Sequence, residues 1–136
     1  MGKLKDELSR YNATVLDHFL NPRNVGDLPD ATVRGSAENP KCRDVVRYAI
    51  RIERGRIAAI RMKTFGCTIA IASASAVSEL ALGRTVAGAL ELTPEEVVQS
   101  LNGVPEDKVR CTTAARLALK GALADAALSG EAQALP

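Results

Sequence analysis

The sequence predicts an α+β fold, in which helices pack on one face of a small antiparallel sheet of about three strands. From residue 45 to residue 64, apolar and charged side chains alternate on both sides of an "ERGR" turn. This alternation is typical of a hairpin with one buried and one solvated face. The flanking segments have apolar residues at helical spacing, so the strands are expected to lie between helices.

The first half of the chain contains the predicted first helix and the sheet. An amphipathic helix is expected over residues 3–20, ending before Pro22, because apolar side chains recur at helical spacing. "NPRNVGDLPD" is expected to form a loop, followed by a short strand over residues 31–36. In the hairpin, the side chains predicted to share one face are Val46, Tyr48, Ile50 and Ile52 in the first strand and Ala58, Ile60 and Met62 in the second.

The second half is predicted to be helical. A helix lined with small side chains is expected over residues 68–82, with Gly83 ending it. Thr85 begins a short helical turn. "TPEE" predicts another helix start, with Thr93 as N-cap and Glu96 closing a capping box. A last helix is expected to begin near Cys111 and to end at residues 129–130.

Length and composition indicate one ordinary globular domain over residues 1–136, with residues 129–136 as a frayed tail. Of the 136 residues, 46% are apolar and 25% charged. The formal net charge of +2 and the scarcity of aromatic residues argue against nucleic-acid binding. No apolar run is long enough for a membrane span, and "MGKLKDELSR" is too charged for a signal peptide. We therefore expect a cytoplasmic protein.

Basic residues cluster around the predicted hairpin: Arg43, Arg47, Arg51, Arg54, Arg56 and Arg61. Charge on the outer side of a strand usually belongs to a solvated sheet face, which is the favoured interpretation. A docking surface for an acidic partner is the alternative.

The cysteines are Cys42, Cys67 and Cys111, an odd number that argues against a disulfide framework in a reducing compartment. Cys67 and Cys111 each stand at the start of a predicted helix, where the helix dipole favours thiolates. Cys42 is followed two residues later by Asp44. Three thiolates and a carboxylate would suit a tetrahedral zinc or iron site. Inert core thiols and a turn-forming aspartate remain an equal alternative at this point.

Longer motifs around the cysteines change this balance. "YNATVLDHFLNPRNVG", "NPKCRDVV", "KTFGCTIAIASAS" and "VRCTTAARLALKGAL" follow one another in the chain. In this order they resemble the IscU and NifU-like amino-terminal family of iron-sulfur cluster scaffold proteins, from about residue 11 to residue 123. The resemblance implies a non-enzymatic scaffold that receives sulfur from a cysteine desulfurase, builds a [2Fe-2S] cluster and passes it to apo iron-sulfur proteins.

By position, Cys42, Asp44, Cys67 and Cys111 match the ligands of that family, with Cys111 as the expected sulfur acceptor. Iron is the expected metal, and zinc can occupy the same thiolates. The sequence leaves the oligomeric state open, a homo-oligomer included. His18, the single histidine, could serve as an occasional ligand; a helix-capping role, with its charge opposing the helix dipole, is favoured.

Three departures from the family pattern stand out. Arg110 replaces the usual histidine before the last cysteine, and Arg43 replaces the glycine of Cys-Gly-Asp. The basic residue at 110 resembles the SufU branch, so a zinc-bound sulfur acceptor is the alternative function, although the extra segment of SufU proteins is missing. The family's chaperone-binding motif is reduced to "VPEDK", with only Pro105 and Lys108 retained, which argues against dependence on a dedicated Hsp70-type chaperone.

Overall fold

A computed structural model describes residues 8–39 and 43–128, apart from the side chains of residues 125, 127 and 128. The expected frayed tail and the carboxyl end of the last helix therefore lie outside the described residues. Within these ranges, no helix has the length and apolar character that crossing a membrane would require.

The sheet has three antiparallel strands in the order β1-β2-β3, as the sequence predicts. They are β1 (Val33–Asn39), β2 (Asp44–Glu53) and β3 (Arg56–Phe65). A tight turn joins β2 to β3 through Arg54 and Gly55, both with positive φ (54° and 73°). Positive φ at both central residues is the geometry of the two-residue hairpin turns that suit the twist of the strands.

One predicted orientation in β3 is wrong. Ala58 was expected to face inward with Ile60 and Met62, yet it is exposed while Ile57 is buried. The pairing register shifts here, since Arg51 pairs with Ala59 but the next residue of β2 pairs with Ile57. Ala58 is the extra residue of a bulge, which reverses the alternation at this end of the strand.

Five α-helices and one 3₁₀ helix have both ends within the described part of the chain. They are α1 (Ala13–Leu20), α2 (Thr68–Ala81), α3 (Val86–Leu90), α4 (Pro94–Ser100), the 3₁₀ helix Glu106–Thr112 and α5 (Thr113–Leu128). The capping box between Thr93 and Glu96 is confirmed, as is the short helix that starts at Thr85. Gly83 follows the end of α2, as predicted, and has a φ of 87°.

The predicted continuous helix over residues 3–20 is wrong in its described part, because residues 9–12 are not helical. Asn12 is the N-cap of α1, and its side chain accepts a hydrogen bond from the Val15 amide at 2.9 Å. Its amide nitrogen also donates to the carbonyls of Asn102 and Gly103, both at 3.0 Å. An asparagine that satisfies backbone groups in this way favours a helix start over a helix interior.

Helices α2 and α5 pack on one face of the sheet. The Tyr48 hydroxyl crosses the interface and donates to the Ala74 carbonyl of α2 at 2.6 Å. At Gly35 of β1 the helix α5 comes so close that an added Cβ would lie 2.5 Å from the Ala118 oxygen and 2.6 Å from the Ala122 nitrogen. Only a residue without a side chain allows this contact.

We predict that Gly35→Ala lowers the free energy of unfolding by roughly 1–3 kcal/mol, because backbone atoms of α5 cannot make room for a methyl group. The matched control is Gly121→Ala on the exposed side of α5, where an added Cβ would meet nothing within 4 Å. That control should raise the free energy of unfolding by about 0.5–1 kcal/mol through helix propensity. Urea unfolding of the two variants checks this, and equal effects would contradict the packing at Gly35.

Candidate metal centre

Asp44 is the first residue of β2 and is fully buried. The residue before it, Arg43, has a φ of 55°, in the left-handed region that favours glycine. Because Val45 pairs with Phe65, the start of β2 lies beside the end of β3. This register brings the Asp44 carboxylate to the segment that joins β3 to α2.

Cys67 lies in that segment as the N-cap of α2, which confirms its predicted position at a helix start. Its side chain makes no cap hydrogen bond, so the thiol is not used to satisfy the helix end. Instead, the Cys67 amide donates to Asp44 Oδ1 at 3.1 Å, and Cys67 Sγ lies 3.9 Å from Asp44 Oδ2. One carboxylate oxygen therefore orients Asp44, while the other faces the thiol.

Gly66 is a site residue whose role the sequence motifs did not reveal. A Cβ at this position would collide with Asp44 Oδ1 and would stand 3.0 Å from Ala70 Cβ. The missing side chain is what lets the carboxylate reach the start of α2. A glycine directly before a cysteine at a strand-to-helix junction was the available signal.

Cys111 lies within the 3₁₀ helix, two residues before α5, so its predicted place at the very start of the last helix needs correction. Its exposed fraction is 2%, and it belongs to an apolar cluster that includes Ile69 and Leu101. The same 3₁₀ helix is tied to the sheet, because the Asn39 side chain donates to the Arg110 carbonyl at 3.0 Å. These contacts hold the Cys111 sulfur next to the amino end of α2.

Asp44, Cys67 and Cys111 each offer one ligand atom, and these atoms all lie within 4.8 Å of one another. Around a tetrahedral metal with ordinary bond lengths, neighbouring sulfur and oxygen ligands are about 3.5 Å apart. The three side chains are thus close to the spacing of one metal site. Two soft thiolates and one carboxylate are donors that suit zinc or iron.

Cys42, the remaining predicted ligand, lies outside the described residues. It stands directly before Arg43 in the sequence, two residues before Asp44. The side chains of Arg43 and Arg110 are exposed, so neither is buried within the group formed by Asp44, Cys67 and Cys111.

His18 is not part of this group of metal-ligating side chains in the described ranges. It is buried between α1 and α2, where Nδ1 lies 2.7 Å from Ser75 Oγ and Nε2 lies 3.5 Å from Glu79 Oε1. Burial lowers the pKa of His18 below its ordinary value of 6.5, Arg23 lowers it further, and Glu79 and Asp17 oppose the shift. His18 does lie in the last turn of α1, as the capping role requires, but its ring contacts Ser75 and Glu79 of α2, and burial favours the neutral form.

The model of the NifU-like N terminal domain matches residues 10–129 of the chain. The chain belongs to this family. The family resemblance that the cysteine motifs indicate is therefore confirmed.

Sequence similarity extends to archaea, bacteria and fungi. The chain is 42% identical over 115 residues to iron-sulfur cluster assembly scaffold protein IscU 1 of Archaeoglobus fulgidus, spanning 85% of this chain and 75% of the relative. It is 45% identical over 104 residues to the scaffold protein IscU of Aquifex aeolicus, spanning 75% of this chain and 66% of the relative. With mitochondrial iron sulfur cluster assembly protein 1 of Eremothecium gossypii it shares 38% identity over 120 residues, spanning 85% and 77%.

The fold of this NifU-like chain resembles two crystal structures. A SUF-system scaffold protein of Fervidobacterium islandicum superposes with a TM-score of 0.71 at 19% identity, covering 85% of this chain and 97% of that one. The amino-terminal part of a NifU-like protein from Brucella abortus gives a TM-score of 0.72 at 16% identity, covering 85% and 92%. At these identities the likeness concerns the fold alone, and it confirms the predicted α+β class.

We predict that His18 makes the stability of the protein fall as the pH drops below 6.5. The unfolded chain binds a proton near pH 6.5, whereas the buried ring binds it only at lower pH, so acid favours the unfolded state in that window. His18→Gln keeps an amide group near Ser75 and removes the titration. Urea unfolding between pH 7.5 and pH 5.5 should show a steeper loss for the wild type, and equal slopes would contradict the prediction.

Proposed function

We propose that this protein is a scaffold on which an iron-sulfur cluster is assembled and from which it is transferred. The observation that carries the proposal is the convergence of Asp44, Cys67 and Cys111 within 4.8 Å at the junction of the sheet, α2 and the 3₁₀ helix. Membership of the NifU-like family and relatives named as IscU scaffold proteins support it. The cluster is cargo in this function, so the site must both hold and release it.

The proposed ligands are Cys42, Asp44, Cys67 and Cys111, which would hold a [2Fe-2S] cluster. The thiolates are soft donors that bind iron strongly, whereas the Asp44 carboxylate is a hard donor. Asp44 Oδ1 also accepts a hydrogen bond from the Cys67 amide. A ligand set with one weaker member favours release, which is what a scaffold requires. Zinc would occupy the same donors when iron is absent.

In the proposed sulfur delivery, the Cys111 thiolate attacks the outer sulfur of a persulfide on a cysteine desulfurase. The sulfur-sulfur bond of the desulfurase breaks, its cysteine leaves as a thiolate, and the persulfide forms on Cys111. Because Cys111 is only 2% exposed, the segment Glu106–Thr112 must move to admit the donor. A short 3₁₀ helix has weaker hydrogen-bond geometry than an α-helix, which suits such a movement.

The proposed partners are a cysteine desulfurase, which supplies sulfur, and apo iron-sulfur proteins, which receive the cluster. The relatives are named as scaffolds, and we propose the same non-enzymatic role for this chain. It would then be regenerated at the end of each cycle of loading and release, when the cluster leaves.

The function is tested by anaerobic incubation of the protein with iron, cysteine and a cysteine desulfurase. We expect the optical spectrum of a [2Fe-2S] cluster, transfer of that cluster to an apo-ferredoxin and, when iron is omitted, a persulfide on Cys111 in mass spectra. Tightly held zinc that iron cannot displace, together with persulfide on Cys111, would instead support a zinc-bound sulfur acceptor. Persulfide confined to Cys67 would contradict the role given to Cys111.

We predict that Asp44→Ala and Asp44→Asn both slow cluster transfer to an apo-ferredoxin by about 3–10-fold, since the weaker, hard ligand is lost. Asparagine is the matched control, because its side-chain oxygen can still accept the hydrogen bond from the Cys67 amide. If Asp44→Asn transferred the cluster at the wild-type rate while Asp44→Ala was slow, the slowing would be due to loss of the hydrogen bond from the Cys67 amide. Unchanged transfer by both variants would contradict the role of Asp44 in release.

A further inference from the structure

The sheet face opposite α2 and α5 forms an open groove of about 500 Å³ with a basic lining. Its charged lining residues are Arg34 of β1, Arg47 of β2, Arg61 and Lys63 of β3, and Asp27 of the preceding loop. Of the arginines that the sequence clusters around the hairpin, Arg47 and Arg61 line this groove. Arg54 and Arg56 lie at the hairpin turn and do not line the groove, whereas Arg34 and Lys63 do.

Strand register arranges the cations in two rows across the sheet. Arg34 pairs with Ala49, which pairs with Arg61 on the other side. Two residues further along each strand, Ser36 and Lys63 flank Arg47 in the same way. The small side chains of Ala49 and Ser36 leave space between the long ones, which makes the face concave. A step of two residues along a strand separates the rows by about 7 Å.

Arg51, on the same face but outside the groove, pairs with Asp30 and Glu53, whereas the three arginines of the groove have no such partner among the described residues. Lys63 pairs with Asp27 at 3.1 Å, but no carboxylate of the described residues lies within ion-pair distance of Arg34, Arg47 or Arg61. Like charges held this close repel one another, and an anionic ligand would relieve that repulsion.

Two of these side chains are also held in place. Arg34 Nη2 donates to the Leu28 carbonyl at 2.9 Å, and Arg61 Nη1 donates to the Ile60 carbonyl at 2.7 Å. Each guanidinium keeps further N–H groups for a carboxylate, because it carries five donors. Arginines that are ordered before binding lose less conformational entropy when a ligand arrives. The hydrogen bonds that order Arg34 and Arg61 distinguish this face from an ordinary solvated sheet face.

The chemistry of the face selects among anionic partners. Neither row contains an aromatic residue on which nucleic-acid bases could stack, and the Tyr48 hydroxyl is used on the helix side. The exposed ring of Phe65 lies on the same face but beyond Lys63, outside the groove. The two rows themselves contain no large apolar side chain, and the exposed Phe65 and Val25 lie outside the residues that line the groove. An extended peptide with acidic residues at alternate positions places its carboxylates about 7 Å apart on one side, which matches the separation of the rows.

We propose that this groove binds an extended acidic segment of a partner protein, with carboxylates on alternate residues. The Arg34 and Arg61 side chains, on either side of Ala49, together bind one carboxylate of the segment. The Arg47 side chain binds the next carboxylate. Bidentate contacts between arginine and carboxylate supply the specificity. The proposal concerns the opposite face from the metal centre and does not depend on the proposed function.

Fluorescence anisotropy with the full chain tests the proposal. The probe is a labelled peptide in which glutamate and serine alternate, and its control has the same composition with the glutamates in one block. We expect the alternating peptide to bind about fivefold or more tightly than the block peptide, because only its spacing matches the two rows. Equal affinities would overturn the proposal.

The variant Arg34→Gln/Arg61→Gln should weaken binding of the alternating peptide about tenfold. The matched control, Arg54→Gln/Arg56→Gln, removes the same charge from the hairpin turn and should change affinity less than about twofold. Amide chemical shifts of the wild type provide a second readout that does not depend on the folding of a variant. They should change at Arg47, Ala49 and Arg61, and changes confined to other parts of the chain would overturn the proposal.

Two further probes separate the peptide from other polyanions. A single-stranded oligonucleotide of equal charge and vesicles containing phosphatidylglycerol are titrated under the same conditions. The proposal is supported if the oligonucleotide and the vesicles both bind more weakly than the alternating peptide. Tighter binding of either one, with shifts at Arg47 and Arg61, would assign the groove to nucleic acid or membrane instead.

Discussion

The hydrogen bond from the Cys67 amide to the Asp44 carboxylate is the contact on which the candidate metal centre depends. It joins the first residue of β2 to the N-cap of α2, two positions that only the strand register brings together. A buried carboxylate is costly unless it is paired, and a hydrogen bond to a charged group contributes about 1.5–3 kcal/mol. Gly66 makes the contact sterically possible. The remaining oxygen then faces the sulfur atoms that would share a metal with it.

The side chains of β2 alternate between the two faces of the sheet, and this alternation separates the candidate metal centre from the basic groove. Asp44 is in phase with Val46 and Tyr48, so its side chain lies on the face that the helices cover. Arg47 is out of phase and lies on the opposite face, in the basic groove. The candidate metal centre and the charged surface therefore lie on opposite faces, because successive side chains of a strand point to opposite sides of the sheet. A slip of one residue in the register would exchange them.

Patterns with a local cause were predictable from the sequence. The hairpin and the capping box at Thr93 follow from alternation and capping preferences that act within a few residues. The helix start at Cys67 follows from the run of alanine, isoleucine and serine residues after it. The break at Asn12 and the bulge at Ala58 were not predictable, because they depend on hydrogen bonds to a distant loop and on pairing between strands. Likewise, cysteine positions indicated a site, but the contact between Gly66 and Asp44 exists only in the folded chain.

We propose that Asp44, Cys67 and Cys111, together with Cys42, form one metal centre. A crystal structure of the anaerobically reconstituted protein tests it most directly, with anomalous scattering to locate the metal. The account predicts iron bound between Asp44 Oδ2 and the cysteine sulfurs, with Asp44 Oδ1 still accepting the hydrogen bond from the Cys67 amide. Metal located elsewhere, or bound without Asp44, would contradict it.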